Sequence, residues 1–440
     1  MIGGSALKFA LASFGTRGDI EPSVAVGREL LARGHEVRIA VPPNQVDFVE
    51  AAGLTAVPYG LETEDGLQEG LDANREFWTL IFHKFWKINE LKTAWHGVWD
   101  PVADMWAHMN TTLMSLAEGA DLLLTGLNFE QAAANVAEYY DIPFATLHFF
   151  PIRPNGQLLG TVPSPLTRFG MLMMGTASWH LFTKRLENVQ RRELGLPVAT
   201  TPSWRRIFDS GSLEIQAYDE ACFPGLADEW AEVNDQRPFV GPLTMELTTD
   251  VDDEVASWIA AGPPPICFGF GSFAVESPAA MVKMISSACS ELGERALICS
   301  GWTDFSGVPH YDHVKVVGAV NYAATFPLCR AVVHHGGAGT TAASLRAGVP
   351  TLILWTMPDQ PIWGAQFKRL KVGASRRFST TTRESLVADL RQILSPDYTL
   401  RARDLASRIT KPVECIVKTA DIVEKFAAES GSFTRSGRRT

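Results

Sequence analysis

Around residue 335 the chain runs from a strand-like stretch, Val332-Val333-His334-His335, through Gly336, Gly337 and Gly339 into a helical stretch that opens with Thr340 and Thr341. Glycines this dense permit a backbone path that side chains would block. A helix beginning directly after a buried strand turns its unpaired N–H groups and the positive end of its dipole toward the crevice at the strand's carboxyl end. The pattern therefore requires an α/β sheet with a strand-to-helix turn, and the ligand it suits is an anion such as a diphosphate. His335, Gly337, Gly339 and Thr340 are the candidate groups. The competing reading is a tight packing turn with buried histidines.

A second turn of the same kind stands near the start. Leu7 to Phe14 reads as a buried strand, Gly15 to Asp19 as a turn, Ile20 to Arg33 as an amphipathic helix and Val37 to Val41 as the next strand, which makes a βαβ unit. Here the turn carries Thr16 and Asp19. Asp19 either caps the helix, with Pro22 in its first turn, or serves as a base toward a ligand in the crevice. A helix N-terminus is expected to lower its pKa, so as a base it would act by position more than by basicity.

Further strands are expected at Asp121 to Leu124, Pro143 to Phe150, Ile266 to Phe270, Arg295 to Ser300, Lys315 to Val317, Ala331 to His334 and Thr351 to Leu354, with helices at Glu130 to Tyr140 and Pro278 to Leu292. Past the last of these strands come Asp359 and Gln360, whose carboxylate and amide suit sugar hydroxyls but also read as a helix start before Pro361. Ser272 offers another hydroxyl after its strand. Trp302 is placed where a ring can stack on a base or pack in the core.

With 440 residues the chain exceeds what one core sustains, so two α/β domains of roughly 200 residues are expected. Acidic and proline-rich composition from Leu213 to Gly262 reads as a surface connection, which sets the domains at 1–240 and 241–428 and leaves 429–440 as a frayed tail. The net charge of -10 disfavours a general polyanion surface and hence nucleic acid as the main partner. Six scattered cysteines without a C-x-x-C pair fit a reducing cytoplasm. The apolar run at Leu7 reads as a strand and not a signal peptide, and no stretch approaches the roughly 18 apolar residues of a spanning helix. Any membrane contact is expected to be peripheral.

Phe77, Trp78, Phe82, Phe85, Trp86, Trp95, Trp99 and Trp106 crowd one segment together with Lys84, Lys87 and Lys92. Two core-packed amphipathic helices explain this, as does a greasy acceptor channel or a membrane-resting surface. Metal-ligand spacing, a G-x-S-x-G elbow and G-x-G-x-x-G are all missing from the sequence, which removes the main support for a metalloenzyme, an α/β hydrolase and a nicotinamide dehydrogenase.

Together, Gly15 to Pro22, Gly269 to Ser272, His334 to Thr341 and Asp359-Gln360 resemble, in order and spacing, the inverting GT-B glycosyltransferases that use UDP- or dTDP-sugars. The likeness is strongest to the branch of sterol glucosyltransferases and glycopeptide-antibiotic glycosyltransferases, and His148 to Gln157 is similar to mycobacterial glycolipid enzymes. The resemblance implies two facing Rossmann-like domains and transfer of a hexose or deoxyhexose to a hydroxyl of a hydrophobic acceptor. It implies no cofactor or metal beyond the sugar nucleotide. On matching positions, Asp19 would be the general base. Thr16, Ser272, His335, Gly337, Gly339 and Thr340 would hold the diphosphate, Trp302 and Val320 the base, and Asp359 with Gln360 the sugar. Phe14, Phe82, Trp86, Trp95, His148 and Phe149 would line the acceptor pocket. A C-terminal helix, about 412–426, would cross back to the first domain. Met357-Pro358 and Pro361-Ile362 depart from the Gly and Phe usual around the Asp-Gln pair in sterol enzymes, so the sugar stays open. Rival readings are a nucleotide-sugar epimerase of the same fold and a catalytically silent sugar-nucleotide-binding protein.

Overall fold

The computed structural model describes residues 6–61, 88–160, 162–245, 249–269, 277–301, 305, 307–357 and 359–437, with the backbone alone for 88–101 and 431–437. Two six-stranded parallel sheets organise it. The first contains β1 (Lys8–Ala12), β2 (Glu36–Val41), β3 (Thr55–Pro58), β4 (Leu122–Gly126), β5 (Phe144–His148) and β6 (Leu213–Gln216) in the order β3-β2-β1-β4-β5-β6. The second contains β7 (Ile266–Gly269), β8 (Ala296–Cys299), β9 (Val314–Val317), β10 (Ala331–His334), β11 (Thr351–Trp355) and β12 (Gly373–Arg377) in the order β12-β11-β10-β7-β8-β9.

Both are the same doubly wound order, and in each the chain reverses direction beside the sheet's first strand. The helices that matter below are α1 (Arg17–Ala32), α2 (Ile88–Ala117), α3 (Glu130–Tyr140), α4 (Ser164–Ser178), α5 (Lys184–Glu193), α6 (Pro278–Leu292), α7 (Ala338–Ala347), α8 (Gln360–Leu370) and α9 (Pro412–Gly437).

The central strands are buried along nearly their whole length, as parallel strands covered on both faces must be: β4 and β5 show no exposed position, and β1 only its first. Three strands escape the sequence pattern. β3 ends in Pro58 and lies at an edge, where a missing N–H costs nothing. β12, Gly-Ala-Ser-Arg-Arg, is an edge strand with a polar exposed end. Leu213 to Gln216 was expected to open the surface connection and instead forms β6, fully buried. Its Glu214 is matched by internal charges, which hides the hydrophobic signature a strand usually shows.

The two domains are locked together by an apolar cluster in which Tyr218, Phe223 and Trp230 from the first half meet Trp363, Phe367 and Leu405 from the second. Polar ties flank it. Asp219 accepts from the Thr410 N–H at 3.0 Å and its hydroxyl at 2.9 Å, and the Gln366 amide donates to the Leu158 carbonyl at 3.1 Å. At the opposite end α9 returns to the first domain: Cys415, Ala420, Val423 and Ala427 belong to the same buried cluster as Ile20, Val24 and Leu30 of α1. Arg33 binds Asp421 and Glu424, each at 2.7 Å, and His35 meets Glu424 at 2.6 Å. The expected frayed tail is helical as far as Gly437, Gly431 included, as the continuation of a helix already nucleated by its docked stretch. No described helix is long and apolar enough to cross a membrane.

Candidate active site

α1 begins at Arg17, three residues earlier than its apolar periodicity suggests, because Thr16 serves as N-cap and Asp19 occupies the third helical position. The Asp19 Oδ2 accepts the Thr16 N–H at 2.8 Å and the Thr16 hydroxyl at 3.0 Å. Capping and catalysis, competing readings of the sequence, are therefore compatible: Oδ2 closes the helix end, and Oδ1 has no hydrogen-bond partner among the described residues. Gly15 cannot be anything else. Its φ is +137°, and a Cβ there would fall into the Asp19 carboxylate.

The expected pKa depression does not occur. Burial raises the Asp19 pKa to about 6, the Thr16 hydrogen bonds pull it back, and the Asp359 carboxylate pushes it further up. Desolvation of the half-buried group outweighs the helix dipole. The charge of Asp359, the second domain's sugar-binding candidate, thus acts on the first domain's carboxylate.

In the second domain the glycine turn leaves β10 and enters α7 with Gly337 as N-cap and no side-chain cap. Thr341 N–H makes the first bond back, to the Gly337 carbonyl at 2.9 Å, so the amides of Ala338, Gly339 and Thr340 lack a partner within the helix. His334 is enclosed and fixes the turn by accepting the Gly336 N–H on Nδ1 at 2.9 Å. Gly336 has φ +97° and its α-carbon faces Ile353 and Gln360 too closely for a Cβ. At Gly337 a Cβ would lie 2.5 Å from His335 Nε2. His335 is thus drawn across the front of the turn, its Nδ1 buried without a partner. Burial lowers its pKa to about 4, only partly countered by the Gly269 carbonyl, so the ring is neutral near pH 7 and offers one N–H donor. Beyond Gly339 there is open space.

Asp359 occupies the position before α8 without a side-chain capping hydrogen bond, and burial raises its pKa. Gln360 is buried, and its Oε1 accepts from the Thr356 N–H at 2.8 Å, the Met357 N–H at 3.0 Å and the Thr356 hydroxyl at 3.2 Å. The amide oxygen is therefore committed to its own turn. Through Gly336 the two motifs of the second domain touch, and Ala338 packs against the first domain's core beside α1.

Of the acceptor candidates, Phe14 is half-buried in an aromatic group, edge-on to Phe129 at 5.4 Å and to Tyr59 at 6.4 Å. Phe149 and the Asp19 backbone both lie beside Gly126 at the end of β4. His148 does not line a pocket: it is fully enclosed, 3.1 Å from Glu130, within a buried chain in which Arg153 bridges Glu130 and Glu214 and Arg237 adds a second bond to Glu214. Arg153 holds the Glu130 pKa down at about 2 against burial. This network braces the carboxyl ends of β5 and β6. Val320 sits almost wholly in the core cluster under β7 and β8. Ser272, Trp302, Phe82 and Trp86 lie outside the described residues, and of Trp95 only the backbone, within α2, is described.

Two features near Asp19 went unread in the sequence. Asn128 donates from Nδ2 to the Phe14 carbonyl at 2.9 Å, and Phe129 holds φ +62°, unusual for a bulky residue. Both follow β4, the other strand at the point where the sheet order reverses, and that position was the available signal. Among the described residues no group of three or more His, Cys, Asp and Glu side chains is placed to hold a metal ion.

Comparison with known proteins agrees with this geometry. Residues 9–99 match the glycosyltransferase family 28 N-terminal domain, and residues 300–426 match the erythromycin biosynthesis protein CIII-like C-terminal domain. An uncharacterized glycosyltransferase of Mycobacterium tuberculosis is 57% identical over 423 residues, covering 96% of this chain and 99% of the relative. The chain belongs to this glycosyltransferase family. More distantly, a sterol 3-beta-glucosyltransferase of Arabidopsis thaliana is 29% identical over 377 residues, covering 82% of this chain and 56% of the relative. The fold is GT-B: the kitacinnamycin glycosyltransferase superposes with TM-score 0.69 at 18% identity, covering 96% of this chain and 99% of the other. The glycosyltransferase VinC in complex with dTDP does so with TM-score 0.61 at 19% identity, covering 96% of this chain and 100% of the other.

Proposed function

We propose that this glycosyltransferase moves a hexose or deoxyhexose from a UDP- or dTDP-sugar to a hydroxyl of a hydrophobic acceptor in one inverting displacement. The observation that carries the reading is the Asp19 carboxylate, half-buried, with a pKa near 6 that the charge of Asp359 helps to raise, and one oxygen free of hydrogen bonds among the described residues. Asp19 Oδ1 takes the acceptor proton as the acceptor oxygen attacks the anomeric carbon, and the bond to the leaving phosphate oxygen breaks. A base whose pKa lies close to the working pH is mostly ionised yet still basic enough to accept that proton.

The negative charge that grows on the departing diphosphate is met by the amides of Ala338, Gly339 and Thr340, by the dipole of α7 and by the N–H of neutral His335. Thr16 and Ser272 are the further hydroxyl candidates for the diphosphate, and Trp302 with Val320 for the base. Asp359 accepts from sugar hydroxyls, while Gln360, its oxygen engaged, has its amide nitrogen to donate. Phe14 and Phe149 supply apolar surface for the acceptor beside Asp19. A dTDP-bound neighbour of the same fold supports a nucleoside diphosphate as the donor's handle.

Mass-spectrometric product analysis with UDP-glucose and dTDP-rhamnose against sterol, polyketide and glycolipid alcohols tests the assignment. A glycoside formed by the wild type and lost in Asp19→Asn supports it. Conversion of the donor to a new sugar nucleotide without acceptor would replace it with an epimerase.

A further inference from the structure

α4 is almost unpartnered. Of its residues only Thr167 is buried, and the helix exposes Leu166 (62%), Phe169 (61%), Leu172, Met173 and Met174 (66%), followed by Leu181 just past its end. Leu166, Phe169 and Met173 repeat at helical spacing, and the other two widen the apolar surface over more than half the circumference. Soluble surfaces scatter such side chains singly, so this many adjoining ones mark an interaction face.

The charge pattern says what covers it. In a chain with 49 acidic residues there is no Asp or Glu from Gln157 to Leu186, while Arg168, Lys184 and Arg185 fall in the same stretch. Arg168 is tied to Glu229 at 2.7 Å, which leaves Lys184 and exposed Arg185 at the helix's far end, together with exposed His180. The end is anchored from inside: Trp179 is buried, donates to Glu187 at 2.6 Å, and carries Lys184 over its ring at 5.0 Å. A second copy packed through a two-fold axis on the same face would offer these cations no carboxylate, since the stretch 157–186 holds none. An apolar helix face edged by cations and cleared of carboxylates instead complements a surface with an apolar interior and anionic headgroups.

We infer that α4 and the turn after it form a membrane-surface docking site, with Leu166, Phe169, Met173 and Met174 entering the headgroup boundary of an anionic bilayer and Lys184 and Arg185 meeting lipid phosphates. The helix follows the loop that leaves β5, within the first domain. The site stands independently of which sugar or acceptor is used, since binding to vesicles needs no turnover.

Co-sedimentation of the full chain with phosphatidylcholine vesicles, with and without phosphatidylglycerol, tests it. Wild type is expected to bind the anionic vesicles, less so as salt rises. The double variant Phe169→Ser/Met173→Ser should lower partitioning at least about tenfold, and Lys184→Gln/Arg185→Gln roughly tenfold. Unchanged thermal melts confirm that both variants fold. Val413→Ser, which removes an equally exposed apolar residue from α9, should have no effect. Absence of binding by the wild type, equal binding by the α4 variants, or an equal loss in Val413→Ser overturns the assignment. So does a dimer in analytical ultracentrifugation that Phe169→Ser dissolves while vesicles are ignored.

Discussion

The turn after β1 and the turn after β10 occupy equivalent places in sheets of equivalent order, yet they treat the start of the following helix in opposite ways. In the first, Asp19 folds back and consumes amide and hydroxyl hydrogens of Thr16, so the helix end is closed and the carboxylate is what remains to act. In the second, the capping position is Gly337, which has no side chain, and the first amides of the helix are left without a capping side chain. One architecture thus leaves either a carboxylate or open amides at the helix start, which the proposed mechanism uses as base and anion cradle.

The largest expected effect comes from blunting the first turn. Asp19→Asn keeps the shape and an acceptor for Thr16 but removes the base, and kcat should fall about 10²- to 10⁴-fold. Nucleoside diphosphate affinity by calorimetry should be unchanged. Because burial raises the native pKa of Asp19 to about 6, the folded protein holds this proton more tightly than the unfolded chain, and ionisation works against stability as pH rises from 3.8 toward 6. The melting temperature of Asp19→Asn at pH 7 is therefore expected to match or exceed that of the wild type.

Next comes the second turn. Gly337→Ala drives a methyl into His335 and should weaken UDP or dTDP binding roughly tenfold or more, measured by titration, since the ring or the turn must shift.

A smaller, graded effect follows from pH. If Asp19 must be ionised, kcat/KM rises with pH and levels off above about 6, and at pH 5 it should stand at about a tenth of the plateau. The pH-rate profile checks this, and a flat profile from pH 5 to 8 would remove Asp19 from the chemistry.

The smallest effect separates folding from binding. Gly339 faces open space, so Gly339→Ala should raise stability by about 0.5 to 1 kcal/mol, read from denaturant melts, while reducing nucleotide affinity less than Gly337→Ala does.

Sequence pattern reaches far in the sheets and less far at the cleft. α3 and α6 match their expected bounds, and nine of the strands lie within the runs that apolar periodicity marked or overlap them closely, because strands buried on both faces have little choice of residue. β6 was hidden by Glu214, whose partners Arg153 and Arg237 come from loops that no local pattern connects. The same limit governs charge states. The helix dipole at Asp19 is legible from the chain, whereas the burial that overrides it, and the added push from Asp359 far along the sequence, arise only in the folded structure. His148 illustrates the converse: an imidazole at a strand's carboxyl end reads as a ligand contact, and only Glu130, reached by the fold of α3, shows it to be part of an internal brace.

The docking of α9 on α1 has a consequence for biosynthesis. The first domain's hydrophobic cluster is finished by Cys415, Ala420, Val423 and Ala427, residues synthesised almost 400 positions after α1. Until then an early-made half of the molecule carries an uncovered seam along α1, so its maturation waits on the synthesis of α9, and a messenger cut short before codon 412 yields a product exposed to proteases and to self-association.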